Sequence, residues 1–140
     1  MRKIFIFFLI VIFNTSCSSI DNKNINTSII NDDLIFSLPK NDFEVVYYEI
    51  NSLEDFREDG ISYKNILKKE NDRNDLGVII IKNYNKKNIK NKNAYYLNMV
   101  KRGNKFQTMG FCIQDNIVYI QKKYQEDKDF VQECHNLKIP

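Results

Sequence analysis

Three cysteines and a single histidine are the residues of this chain with the widest range of chemistry. Cys17 follows an apolar segment near the N-terminus, and Cys134 directly precedes His135. A cysteine and a histidine are the residue types of a nucleophile and its base, but neighbouring side chains on a helix point about 100° apart. We therefore expect no such pair here and interpret His135 as an exposed imidazole at a helix end.

Other catalytic patterns are absent from the sequence. The four glycines are scattered and form neither a phosphate-binding loop nor a dinucleotide-binding turn, and no nucleophile elbow occurs. We therefore assign no catalytic residue, metal site or cofactor and expect a non-enzymatic protein.

The N-terminal segment has the features of an export signal. Arg2 and Lys3 precede an unbroken apolar run over residues 4–13, and small residues follow before Cys17. Positive charge, a short apolar core and a small-residue cleavage site, in that order, are typical of a secretory signal peptide. The apolar run is about half as long as a membrane-spanning helix requires. We expect residues 1–16 to be removed.

This segment resembles the precursor of a bacterial lipoprotein, which is cut just before a cysteine that then carries lipid. The resemblance rests on Thr15, Ser16, Cys17 and the serines at 18 and 19, and it covers the targeting segment alone. It implies a lipid on Cys17 and a membrane anchor, with outer-membrane sorting toward the periplasm. Asn14 departs from the pattern, which usually has an aliphatic residue there; cleavage without lipid would give a soluble periplasmic protein. Residues 17–33 are predicted to be a flexible tether because the segment after Cys17 is polar.

Export also bears on the remaining cysteines. With Cys17 used by the signal, Cys112 and Cys134 are left as a pair, and an exported chain meets an oxidising compartment, where a pair favours a disulfide. The alternatives are two buried thiols and a metal site with His135, although the spacing matches no zinc signature.

Strand patterns dominate the rest of the chain, which we interpret as one α+β domain over residues 34–140. Runs of β-branched and aromatic residues, ended by turn residues, predict an antiparallel sheet of about five strands whose C-terminal part is a β-meander. The predicted strands are 34–38 (an edge strand), 43–50, 78–84, 94–101, 105–114 and 117–124.

Two helices are predicted to pack on this sheet. Leu53, Phe56, Tyr63 and Leu67 recur at helical spacing and predict a middle helix broken near Gly60, or two short helices, ending by residue 71. Apolar residues at similar spacing predict a C-terminal helix over residues 125–137.

Charge is unevenly distributed along the chain. Residues 18–76 contain seven Lys or Arg and thirteen Asp or Glu, whereas residues 77–140 contain twelve and five. Basic residues gathered in this way attract anionic partners or membrane head groups. The candidate surface consists of Lys86, Lys87, Lys90, Lys92, Lys101, Arg102 and Lys105. The alternative is a solvated loop without a ligand, and no nucleic-acid partner is expected for an exported domain.

Together these observations predict an envelope-anchored, non-enzymatic lipoprotein that binds a protein partner. One concrete form is an immunity-type inhibitor that neutralises a toxin in the periplasm. The alternatives are a structural or assembly accessory of an envelope complex and a binder of an anionic envelope polymer.

Overall fold

The structure is a computed structural model that describes residues 24–39, 44–57, 60–73 and 75–138; for residues 55–57 and 60–63 only the backbone is described. The predicted signal peptide, the lipidation site Cys17 and the start of the predicted tether lie outside the described residues. The described residues form eight strands and one α-helix, α1 (Asp127–His135). The strands are Asn26–Ile30 (β1), Asp33–Ser37 (β2), Val45–Arg57 (β3), Gly60–Glu70 (β4), Val78–Ile81 (β5), Ala94–Lys101 (β6), Lys105–Gln114 (β7) and Ile117–Ile120 (β8).

The strands form two antiparallel sheets. The larger has the order β4-β3-β6-β7-β8 and the smaller the order β1-β2-β5. Tight turns close the hairpins. Asp115 and Asn116 form a two-residue loop between β7 and β8, and both have positive φ, as such a loop requires. Residues 102–104 connect β6 to β7, with positive φ at Gly103 and Asn104. The predicted antiparallel sheet is confirmed in part. The predicted strands 94–101 and 105–114 match β6 and β7 of a five-stranded sheet, but this sheet also contains β4, and the predicted edge strand 34–38 is instead the central strand β2 of a second sheet.

The main core lies between the two sheets. Tyr95, Leu97 and Met99 alternate along β6 and are almost completely buried, together with Phe36 of the smaller sheet. The rings of Phe36 and Phe111 pack edge to face with their centres 5.3 Å apart. One face of the larger sheet is thus covered by the smaller sheet, as the period of two in β6 requires.

Helix α1 packs on the opposite face of the larger sheet, near one end. Phe130, Val131 and Cys134 of α1 form a second buried cluster with Leu53, Ala94 and Cys112 of the sheet. The predicted C-terminal helix is therefore confirmed, with slightly shorter bounds. No helix among the described residues has the length and apolarity needed to cross a bilayer.

The predicted middle helix is wrong. Residues in this span form the second half of β3 and the adjoining strand β4, paired in one antiparallel hairpin. Leu53 packs under α1, whereas Leu67 packs against the main core, so the two do not share one face. The span is extended despite its helical spacing because β3 forms backbone hydrogen bonds with β4 on one side and β6 on the other. Such pairing depends on the tertiary fold and cannot be predicted from local propensity.

The prediction that the tether extends to residue 33 is also wrong, because β1 pairs with β2 within it. Asn31 and Asp32 form the connecting turn, both with positive φ, which suits a two-residue hairpin loop. The predicted strand 78–84 is also shorter, since β5 ends at Ile81, and it joins the smaller sheet rather than the larger one.

Candidate functional site

The candidate basic surface is divided by the structure into two groups. Lys86 and Lys87 end a short 3-10 turn (Tyr84–Lys87), and Lys90 and Lys92 follow it, so all four precede the first residue of β6. Lys101, Arg102 and Lys105 lie at the other end of β6 and in the turn beyond it. A strand of this length spans roughly 24 Å. The two groups therefore lie at opposite ends of the sheet and do not form one surface.

The basic residues at the far end of β6 are also less available to an anionic ligand than the sequence predicts. The side chain of Lys101 is buried, with only 3% of its surface exposed. The guanidinium of Arg102 pairs with the Glu44 carboxylate at 2.8 Å, and its backbone N–H donates to the Glu44 carbonyl. Only Lys105 of this group is exposed without such a pairing among the described residues.

The other group lies on a loop that is held firmly by the core. We call residues 82–93 the basic loop. The hydroxyl of Tyr95, a residue buried between the sheets, accepts a hydrogen bond from the Lys90 N–H at 2.8 Å and donates one to the Asn88 carbonyl at 3.3 Å. Ile89 is buried, and the Lys92 N–H donates to the Ile113 carbonyl at 2.8 Å. Burial raises the pKa of Tyr95, which favours the protonated hydroxyl that makes both hydrogen bonds.

Acidic residues approach the basic loop from the β1–β2 turn. The Asn83 N–H donates to the Asp33 carboxylate at 3.0 Å, and the Tyr84 N–H donates to the Asp32 carbonyl. Burial, with the negative charge of Asp32 as the smaller cause, raises the pKa of Tyr84. The positive field of the loop is thus partly offset at this end of the molecule.

A second surface, which the sequence did not single out, lies on the larger sheet beside α1. In β6, side chains that alternate with the core residues are half-exposed. Their neighbours in β3 and β7 on the same side of the sheet are half-exposed or exposed. We call this surface the open face. It consists of Tyr47, Glu49, Asn51, Asn98, Val100, Phe106 and Thr108.

One row of the open face is apolar. Val100 lies directly opposite Tyr47 on one side and Phe106 on the other, and opposite residues of antiparallel strands share a face. Phe106 has 76% of its surface exposed, and the Lys68 ammonium lies 5.8 Å from the centre of the Tyr47 ring. The row therefore presents a phenylalanine ring to solvent at the edge of a continuous apolar strip.

The next row is polar and internally hydrogen-bonded. Asn98 lies opposite Glu49 and Thr108, and its amide donates to Glu49 Oε1 at 3.4 Å while its carbonyl oxygen accepts from the Thr108 hydroxyl at 2.8 Å. The Asn51 amide also donates to Glu49 Oε1, at 3.3 Å, and the Asn65 amide donates to the Asn51 carbonyl oxygen at 2.9 Å. These contacts fix the side chains in place before any ligand binds.

His135 lies at the end of α1, and its Nε2 contacts a carboxylate oxygen of Glu54. The other Glu54 oxygen accepts from the Ala94 N–H. This arrangement ties the helix to β3. It lacks a nucleophile, because the neighbouring sulfur of Cys134 lies at disulfide-bonding distance from that of Cys112, with the Cα atoms 6.1 Å apart. The described residues contain no group of three His, Cys, Asp or Glu side chains placed to hold a metal ion.

Known proteins give no further guide to the site. No protein-family model, no curated protein and no solved structure matches the chain.

The sequence contained one signal for the open face. Tyr96, Asn98 and Val100 alternate with buried residues in β6, and Phe106 and Thr108 follow the same period in β7. The signal was incomplete because Asn51 on β3 lay next to the segment interpreted as a helix, and only the strand order brings it beside β6.

Proposed function

We propose that this chain is a non-enzymatic lipoprotein of the bacterial cell envelope that binds a protein partner through its open face. A lipid on Cys17 anchors it at the outer membrane on the periplasmic side. The described domain begins by residue 26, so a short segment after Cys17 is the spacer between lipid and sheet.

The observation that carries the proposal is the exposure of Phe106 beside Val100 and Tyr47. An aromatic ring with 76% of its surface in water gains free energy when a partner covers it. An apolar strip next to a polar, hydrogen-bonded row is the pattern of a protein interface, in which a few aromatic residues that the partner covers contribute most of the binding energy.

The rigidity of the sheet supports the same function. β3, β6 and β7 are adjacent central strands, and the side chains of the polar row are held by one another. A surface that is ordered before binding loses little conformational entropy on binding. A disulfide between Cys112 and Cys134, formed in the periplasm, stabilises the same sheet from its other end.

The concrete form that we propose is an immunity-type inhibitor, which binds a toxin arriving in the periplasm. A structural accessory of an envelope complex would use the same open face for a resident partner. The two differ in the partner recovered and in whether deleting the gene makes cells sensitive to neighbouring strains.

The test is a co-isolation experiment on the full lipoprotein, extracted from envelope membranes in mild detergent. Phe106→Ser should weaken binding of the recovered partner at least about tenfold, since truncating a hot-spot aromatic costs about 2 kcal/mol or more and about 1.4 kcal/mol is a factor of ten. Tyr124→Ser is the matched control, because Tyr124 is 89% exposed but lies outside the open face. Equal recovery with both variants would refute binding through this face, and lipid labelling that persists in Cys17→Ser would refute the anchor.

A second candidate function is binding of an anionic envelope polymer through the basic loop. It is favoured by the exposed side chains of Lys86, Lys87 and Lys90 on a loop that Tyr95 holds in place. Charge reversal at Lys86, Lys87, Lys90 and Lys92 should then abolish retention on a column of anionic polysaccharide. Unchanged retention would exclude this function.

A further inference from the structure

Glu49 lies in the middle row of the open face and is the one carboxylate among its seven residues; Glu70 of β4 flanks the face opposite Tyr47. Its side chain is half-buried on β3, between Lys68 of β4 and Asn98 of β6 in the strand register. The amides of Asn51 and Asn98 both donate to Oε1, at 3.3 and 3.4 Å. Those amides are themselves oriented by Asn65 and Thr108, so the carboxylate is held in one position.

The arrangement leaves the other carboxylate oxygen available. No described residue donates a hydrogen bond to Glu49 Oε2 or forms an ion pair with it. Lys68 is the cation directly opposite, but its ammonium lies over the Tyr47 ring at 5.8 Å from the ring centre. The open face thus presents a positioned carboxylate that forms no ion pair with any described residue, although the exposed Lys68 lies on the same face.

The complement of such a group is a cationic side chain of the partner. Arginine fits better than lysine, because its guanidinium is more weakly hydrated than an ammonium and can donate to the available Oε2 at a lower desolvation cost. The apolar strip lies one row away: Val100 is one strand and two residues from Glu49, roughly 8 Å in a sheet. In an extended peptide, side chains two residues apart are separated by about 7 Å.

We propose that Glu49 is the point of charge recognition on the open face, and that the partner is a protein segment that presents an arginine to it and an apolar side chain to Val100 and Phe106. This inference rests on the proposed function and names the chemistry of the partner. A cationic ligand is favoured over a neutral sugar. The amides of Asn51 and Asn98 already donate to Glu49, so they do not point at the hydroxyl groups of a sugar.

The test uses the full lipoprotein in detergent, labelled with 15N at asparagine, and the peptide acetyl-Arg-Ser-Leu-amide as the probe. The peptide should shift the side-chain amide signals of Asn51 and Asn98 in a dose-dependent way. The matched peptide with citrulline, which keeps the shape of arginine but not its charge, should bind at least about tenfold more weakly. Glu49→Gln should abolish the difference between the two peptides, whereas Glu70→Gln, on the neighbouring strand, should preserve it.

Three results would overturn the inference. They are equal binding of the arginine and citrulline peptides, an unchanged preference for arginine in Glu49→Gln, and shifts of the same amides by chitotetraose but not by the arginine peptide, which would indicate a glycan ligand. The melting temperature of Glu49→Gln, measured alongside, separates lost recognition from lost folding. If recovery of a partner still depends on Phe106 while the arginine preference is absent, the inference fails and the proposed function stands.

Discussion

The hydroxyl group of Tyr95 accepts a hydrogen bond from the backbone N–H of Lys90 at 2.8 Å, and this contact ties the basic loop to the main core. Tyr95 is 1% exposed and packs against Phe111, with the ring centres 5.7 Å apart. The conformation of the basic loop and the packing between the two sheets are therefore coupled through one side chain.

Removing that hydroxyl should destabilise the protein. Tyr95→Phe keeps the ring but leaves the Lys90 N–H and the Asn88 carbonyl without this partner. We expect the free energy of unfolding to fall by about 1–3 kcal/mol, as for other buried hydrogen-bonding groups that lose a partner. Urea denaturation measures the change, and Tyr124→Phe, at an exposed position, should change stability by less than about 0.5 kcal/mol. A loss no larger than that of the control would show that the hydroxyl does not hold the loop.

Alkaline pH should weaken the fold through its buried tyrosines. Burial raises the pKa values of Tyr95 and Tyr48 above the ordinary value of 10.0. The unfolded chain therefore loses these protons at lower pH than the folded chain does. Their contribution to stability is fully present below pH 10 and is lost as the pH rises above it toward the folded pKa values, by up to about 1.4 kcal/mol per pH unit for each group.

Denaturant titrations at several pH values above and below 10 test this expectation. The free energy of unfolding should fall less steeply above pH 10 in Tyr95→Phe than in the unmodified protein, because one of the titrating groups is gone. Tyr124→Phe should leave the slope unchanged. The same slope in both variants would contradict the assignment to Tyr95.

Gly110 should not tolerate a side chain. A Cβ atom at this position of β7 would lie 2.1 Å from Oε1 and 2.8 Å from Cβ of Gln121, whose N–H donates to the Gly110 carbonyl. We expect Gly110→Ala to destabilise the protein by about 1–3 kcal/mol through overpacking. Gly77→Ala is the control, since its Cβ would meet nothing closer than 3.5 Å. Similar melting temperatures for the two variants would show that Gln121 moves aside freely.

The cysteine pair should contribute strongly to stability if it is oxidised. Cys112 and Cys134 are 22 residues apart, and closing a loop of that length stabilises a fold by about 3 kcal/mol in the chain-entropy model. Mass spectrometry under non-reducing conditions should find the two cysteines joined, and a reductant should lower the unfolding midpoint of the unmodified protein but not of Cys112→Ala/Cys134→Ala. Free thiols at both positions in the exported protein would contradict the bridge.

The sequence predicted the elements whose signals are local. Gly103 and Asn104 mark a tight turn, the runs on either side alternate, and β6 and β7 follow directly. A glycine inside a strand marks a bulge or a close approach of other atoms, and at Gly110 of β7 the side chain of Gln121 makes the close approach.

The elements that depend on strand order were not predictable in the same way. Leu53 and Leu67 have helical spacing, and only the pairing of β3 with both β4 and β6 makes that span extended. The basic residues looked like one cluster because they are close in sequence, whereas β6 holds Lys92 and Arg102 at opposite ends of the sheet. The polar row of the open face joins residues 49 positions apart, Glu49 and Asn98, a relationship that exists only in the folded sheet.

The most direct test of the central claim is photo-crosslinking in living cells. A photoreactive phenylalanine analogue replaces Phe106 on the open face in one strain and Tyr124, which is 89% exposed outside it, in another. If the open face binds a protein, irradiation should join position 106 to one defined partner and should join position 124 to none. Crosslinks to that partner at both positions with equal yield, or at neither, would contradict the account.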